Sequence, residues 1–69
     1  MLQIYIRTFD LNGKLLNTAI SGGGSTSRPE LEKHLDNIIA THKPNAGYNS
    51  EQGYWWVRGD QTLDRYTIE

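Results

Sequence analysis

Residues 27–44, SRPELEKHLDNIIATHKP, decide the fold because they predict one amphipathic helix over residues 28–42. Ser27 stands at the N-cap position and Glu30 follows three residues later, which is the pattern of a capping box. Pro29 falls in the first turn, where proline is tolerated. One stripe of side chains at i, i+4, i+7, i+8 and i+11 predicts the face turned to a core: Leu31, Leu35, Ile38, Ile39 and His42.

Upstream of the helix, alternating apolar and polar residues predict a β-hairpin of strands 2–9 and 14–20. The residues between them, Leu11-Asn12-Gly13, fit a three-residue loop closed by Asp10 and Lys14. In such a loop, the aspartate bonds the backbone ahead of it and the glycine supplies a positive φ.

That loop sets an expected register, in which Phe9 faces Leu15 and Ile4 faces Ile20. Residues opposite each other in an antiparallel pair share a face of the sheet. One face then carries Ile4, Ile6, Leu16 and Ile20, and the other carries Tyr5, Phe9, Leu15 and Ala19. Both faces of the predicted hairpin are therefore partly apolar.

Downstream of the helix, aromatic and β-branched residues predict strands over 54–58 and 63–68. Residues 45–47 predict a loop, and the polar residues 48–53 predict turns. The order of elements predicts an α+β fold, ββαββ, in which a four-stranded antiparallel sheet carries one helix on one face. We expect residues 1–69 to form a single domain.

One helix cannot cover this sheet. Four strands at about 4.8 Å spacing are about 19 Å wide, whereas a helix is about 10 Å across. Adjacent residues of a strand point to opposite faces, so either Trp55 or Trp56 must lie away from the helix. Together with Tyr5, Phe9 and Leu15, that tryptophan forms an uncovered apolar face, which predicts an interface.

The composition limits the function classes. A chain of 69 residues hides about 60% of its unfolded surface, and the absence of cysteine excludes both a disulfide framework and a thiolate metal site. A formal net charge of −1 disfavours a general nucleic-acid binder. With no signal-peptide pattern and no apolar run of about 20 residues, we expect a cytoplasmic protein that makes no membrane contact.

The glycine-rich segment Gly22–Ser27 precedes the helix N-terminus, where free N–H groups attract phosphate or carboxylate. Such a site would use Gly23, Gly24, Ser25 and Arg28, in an anion-binding module or a small enzyme. The segment lacks the spacing of a phosphate-binding loop, so an ordinary linker with a helix cap is the alternative.

The two histidines predict no metal site. His34 and His42 lie about 12 Å apart along the helix axis at 1.5 Å per residue, too far to bind one ion. His42 is placed to satisfy a carbonyl at the helix end. No catalytic motif is present, and we expect no enzyme activity, no catalytic residues and no cofactor.

The last two strands concentrate aromatic residues beside arginines: Tyr54, Trp55, Trp56, Arg58, Arg65 and Tyr66. Such residues fill cores, and they are also enriched in protein interfaces. A third interpretation is that they stack bases of a single-stranded nucleic acid, or sugars.

We therefore expect a small interaction module that binds through its aromatic sheet face and inhibits or modulates a larger protein. The simplest partner is a second copy, because a two-fold dimer covers two identical patches at once. The predicted interface comprises Tyr5, Phe9, Leu15, Trp55, Trp56, Arg58 and Tyr66.

Overall fold

The computed structural model describes residues 1–21, 24 and 27–69 and has an α+β fold, with one helix packed on an antiparallel sheet. This part of the predicted fold class is confirmed. The prediction of four strands is wrong, because the sheet has five and the element order is ββαβββ. The elements are β1 (Ile4–Asp10), β2 (Leu15–Ile20), α1 (Arg28–His42), β3 (Ala46–Asn49), β4 (Tyr54–Arg58) and β5 (Thr62–Ile68).

The strands lie in the order β2-β1-β5-β4-β3, and every pair is antiparallel. The first and last strands of the chain are therefore neighbours inside the sheet. Two backbone hydrogen bonds between Gln3 and Glu69, of 2.8 and 2.9 Å, extend this pairing to the ends of the described chain. The two outer edges belong to β2 and β3.

The helix occupies the same residues as the predicted one and packs on β3, β4 and β5. Ser27 has the extended backbone of an N-cap residue, although its side chain makes no capping hydrogen bond. At the other end, the imidazole of His42 donates from Nδ1 to the carbonyl oxygen of Ile38 at 2.9 Å. The described residues contain no helix with the length and apolar character needed to cross a membrane.

The core lies between the helix and this side of the sheet, which we call the helix side. It contains Ile4, Leu31, Leu35, Ile39, Ala46, Trp55 and Ile68. Trp55 is only 4% exposed, and its indole Nε1 donates to Oδ1 of Asp36 on the helix at 3.0 Å. Its ring also contacts the Tyr48 ring, with 4.6 Å between centroids. The indole thus joins β3, β4 and the helix.

Strand β3 lies within the segment predicted to be a loop. Its first two residues, Ala46 and Gly47, have low β propensity. The segment also lacks the alternation of apolar and polar side chains that indicates a strand. The strand forms because it pairs with β4 through a four-residue connection. The Asn49 side chain accepts a hydrogen bond from the Gln52 N–H at 3.0 Å, and Gly53 adopts φ of 74°.

The first hairpin has the predicted loop. The Asp10 carboxylate accepts backbone hydrogen bonds from Asn12 at 2.9 Å and Lys14 at 2.8 Å, and Gly13 adopts φ of 87°. Phe9 faces Leu15 as expected.

Beyond that pair, the expected hairpin register is wrong. A bulge makes Leu15 and Leu16 share the position opposite Phe9, so Thr8 pairs with Asn17. The extra residue moves Ile20 opposite Tyr5 and Ala19 opposite Ile6. Their faces are consequently exchanged relative to the prediction.

Leu35 is 1% exposed at the centre of the core, so Leu35→Ala tests the packing of helix on sheet. Removing a fully buried leucine side chain lowers the free energy of unfolding by about 2–5 kcal/mol. Leu11→Ala is the matched control, because Leu11 is 64% exposed at the hairpin tip and its loss changes stability by about 0.5 kcal/mol or less. Urea denaturation followed by circular dichroism measures both, and equal losses contradict the described core.

Candidate binding face opposite the helix

The face of the sheet turned away from the helix carries aromatic and cationic side chains. Because Trp55 lies in the core, strand alternation places Tyr54, Trp56 and Arg58 on the opposite face. The neighbouring strands add their cross-strand partners. We call this surface the open face, and its central residues are Tyr5, Arg7, Phe9, Tyr54, Trp56, Arg58, Leu63 and Arg65.

The structure brings together five of the seven predicted interface residues and separates two. Those that share the open face are Tyr5, Phe9, Leu15, Trp56 and Arg58. Trp55 and Tyr66 are cross-strand partners on the helix side. Trp55 is a core residue and Tyr66 packs against the core, so neither belongs to the surface that the sequence predicted for them.

Arg65 occupies the middle of the open face. Its guanidinium carbon lies 4.6 Å from the centroid of the Phe9 ring and 4.8 Å from that of the Tyr54 ring. A guanidinium at these distances is attracted by the ring faces. Among the described residues, the buried Nε of Arg65 finds no hydrogen-bond acceptor, so the contacts with the two rings hold this side chain.

Arg7 is neutralised within the chain. Its guanidinium donates to Oγ1 of Thr67 and Oε2 of Glu69, both at 2.9 Å, and lies 5.6 Å from the centroid of the Tyr5 ring. The hydrogen bonds from Arg7 and Thr67 lower the pKa of Glu69. The Glu69 carboxylate is therefore ionised at neutral pH and cancels one of the three positive charges of the open face.

A cleft of about 270 Å³ lies at one side of the open face, lined by Tyr54, Trp56, Arg58 and Leu63. Small-molecule sites begin at about 300 Å³, so the cleft fits one large side chain or one base rather than a whole substrate. Arg58 is exposed and supplies a positive charge at this cleft. The arrangement suits an apolar or aromatic group with an anion beside it.

Gly47 makes room for one wall of the cleft. It pairs with Trp56 across the strands, and a Cβ built on it would lie 2.8 Å from Cζ2 of that indole. Real side chains do not approach this closely. A glycine at this position therefore allows the Trp56 ring to lie over β3.

Five residues of this surface were absent from the predicted interface: Arg7, Gly47, Tyr54, Leu63 and Arg65. The sequence singled out Tyr54 and Arg65 only as members of the cluster of aromatic residues and arginines. Arg7 could have been found, because it alternates with Tyr5 and Phe9 in one strand. Leu63 and Gly47 carry no such signal, since their roles depend on pairing with β4.

The predicted anion site is described only in part. Gly23 and Ser25 lie outside the described residues. A Cβ on Gly24 would lie 2.8 Å from the carbonyl oxygen of Leu2, and Nε of Arg28 lies 3.8 Å from Oε2 of Glu32. The described residues hold no group of three or more histidine or carboxylate side chains arranged for a metal ion.

Gly47→Ala tests the contact beneath Trp56. The added methyl group overlaps the indole, so we expect the free energy of unfolding to fall by about 1–3 kcal/mol. In a Trp56→Ala background the overlap is gone, and the same change costs about 0.5 kcal/mol or less. A double-mutant cycle measured by urea denaturation reports the difference, and additive effects of the two substitutions contradict the contact.

Burial, with a smaller contribution from the negative charge of Asp64, raises the pKa of Tyr66 above its ordinary value of 10.0. The unfolded chain then loses this proton at lower pH than the folded chain, so stability falls as pH rises. We expect this contribution to be complete below about pH 10 and to decline through the raised pKa. Tyr66→Phe removes this part of the slope in thermal melts taken between neutral and alkaline pH, whereas an unchanged slope contradicts the shift.

The chain was compared with models of protein families, with curated proteins and with solved structures. No match to this chain was found in any of the three comparisons. The open face and its cleft are therefore the features from which a function can be inferred.

Proposed function

We propose that the protein acts by binding another protein through its open face, and that this partner presents acidic side chains beside apolar ones. The proposal rests on one observation, the interleaving of aromatic rings with arginines on a sheet face that lies opposite the helix. The rings are those of Tyr5, Phe9, Tyr54 and Trp56, and the arginines are Arg7, Arg58 and Arg65.

The composition of the open face supports a protein partner. Tryptophan, tyrosine and arginine are the residue types most enriched among those that dominate binding energy. The cleft at Trp56 and Leu63 offers a concave, partly apolar site for one anchoring side chain. A small module of this kind acts by occupying the surface of a larger protein, as an inhibitor or modulator does.

The charge of the open face supports an acidic partner over a second copy stacked face to face. Such stacking would place the arginines of two identical surfaces against each other, and like charges across an interface cost several kcal/mol in order of magnitude. Arg7 has its own counter-ion in Glu69, but Arg58 and Arg65 have no comparable ion pair among the described residues. Carboxylates of the partner would supply the missing negative charge.

Single-stranded nucleic acid is the second candidate, favoured by the cleft between Tyr54 and Trp56 with Arg58 beside it. One base could stack there with its phosphate near the guanidinium. Charge weighs against it, because affinity for nucleic acid comes mainly from phosphate contacts. The chain has seven Lys and Arg against eight Asp and Glu, and Arg7 is already paired.

The test uses two soluble probes of matched charge: a peptide that alternates glutamate with leucine and phenylalanine, and an oligothymidylate. The indole N–H signals in NMR spectra report binding, because the two tryptophans lie on opposite faces. We expect the peptide to shift the Trp56 signal. The Trp55 signal is an internal reference, since that N–H is bound to Asp36 and should stay in place.

Arg58→Glu should weaken peptide binding at least about fivefold, equivalent to about 1 kcal/mol. Lys33→Glu is the matched control, because it makes the same change of charge on the helix and should leave the affinity unchanged. A peptide with lysine in place of glutamate should not bind. The proposal is wrong if neither probe shifts the Trp56 signal, and tighter binding of the oligothymidylate would identify nucleic acid as the ligand instead.

A further inference from the structure

Strand β2 is an edge strand with little protection against pairing. It lies at the outside of the sheet, and all six of its residues are exposed. Natural edge strands are usually protected by lysine, by proline or by bulges. The strand Leu15–Ile20 contains no charged residue and no proline, and its bulge at Leu16 leaves residues 17–20 regular.

The backbone of β2 has hydrogen-bonding groups that point outward. Ser21 donates its N–H to the carbonyl oxygen of Ile4 at 2.9 Å, so this residue faces β1. Alternation along the strand gives Asn17 and Ala19 the same direction. The N–H and C=O groups of Thr18 and Ile20 therefore point away from the sheet.

We infer that β2 pairs antiparallel with β2 of a second copy, about a two-fold axis at Thr18. In this register the two Thr18 residues exchange their outward N–H and C=O groups. Asn17 then faces Ala19 of the other copy, and Ile20 lies beside the bulged Leu16. The large side chains of Leu16 and Ile20 are 53% and 51% exposed in the single chain.

The chemistry of β2 favours a second copy as its occupant. An uncharged strand brings no like charges together when it pairs with itself, whereas stacked open faces do. The two-fold arrangement uses the same edge of both copies and closes on itself. The other edge, β3, has only four residues, which makes an open chain of copies through β2 and β3 the poorer solution.

The association should be weak. Only the short regular run of residues 17–20 can pair, and an interface below about 1,200 Å² belongs to the transient class. Pairing at this edge leaves the cleft at Trp56 free, so it is independent of the proposed binding by the open face. One dimer would then present two open faces on a continuous sheet.

Charged substitutions at Thr18 test the inference, because the Thr18 residues of the two copies lie opposite each other at the two-fold axis. We expect the unmodified chain to shift from monomer to dimer with concentration in analytical ultracentrifugation. Thr18→Lys and Thr18→Glu should each weaken the dimer at least about fivefold, since like charges lie directly opposite each other. An equimolar mixture of the two variants should restore association.

Leu11→Lys is the matched control, because it adds the same charge at an exposed position of the hairpin tip outside β2. It should leave the dimer unchanged. Thr18→Pro gives a second measurement, since it removes an outward N–H that β1 does not use, and it should abolish dimerisation. Circular dichroism confirms that each variant is folded.

Three results would overturn the inference. The first is a mass that stays monomeric at every concentration. The second is a failure of the Lys and Glu variants to associate when mixed. The third is a dimer that persists in Thr18→Pro, which would place the contact elsewhere on the protein.

Discussion

The direction of one side chain, that of Trp55, determines what both faces of the sheet present. Its ring fills the space under the helix, and its N–H is satisfied by Asp36 at the helix surface. A buried indole needs both an apolar environment and an acceptor, and this position offers both. Strand alternation then forces Trp56 and its neighbours to the opposite face. The core contact and the candidate binding surface therefore follow from one geometric constraint.

The near-zero net charge of the chain conceals a local excess of positive charge on the open face. The helix is close to neutral, because its three carboxylates stand against Arg28 and Lys33. The open face has three arginines, of which only Arg7 has an ion pair among the described residues. Arg65 shows how such a face tolerates a cation, because two aromatic rings flank its guanidinium. The net charge of the whole chain therefore disfavours an anionic partner, whereas the local charge of the open face favours one.

The elements that could be predicted from sequence are those whose signal is local. The helix has an amphipathic stripe and a terminating proline, and the first hairpin has a loop in which Asp10 bonds the backbone. Strand β3 could not be predicted, because Ala46 and Gly47 form a strand only through their fit to the helix and to Trp56. The bulge at Leu16 also has no signal in the sequence. It alone places Ala19 and Ile20 on the faces opposite to those predicted.

The candidate site was predictable to a similar degree. Aromatic residues next to arginines indicated a surface in the last strands, but period-two alternation cannot say which tryptophan faces the helix. That choice depends on Asp36, which lies 19 residues from Trp55 in the sequence. The partners of Arg65 are similarly remote, since Phe9 comes from the first strand. A single sequence does not show which residues far apart along the chain are in contact, and this part of the site depends on such contacts.

The open face also exists only when β1 and β5 have paired. Its centre is the junction of β1 with β5, where Arg7 bonds Thr67 across a separation of 60 residues. Closing so long a loop costs entropy before the contacts form, so the arginines and rings are assembled only once β1 and β5 have paired. A partner that binds this face stabilises the folded chain over the unfolded one by mass action. For a domain of 69 residues with a small core, binding and folding therefore reinforce each other at the same strands.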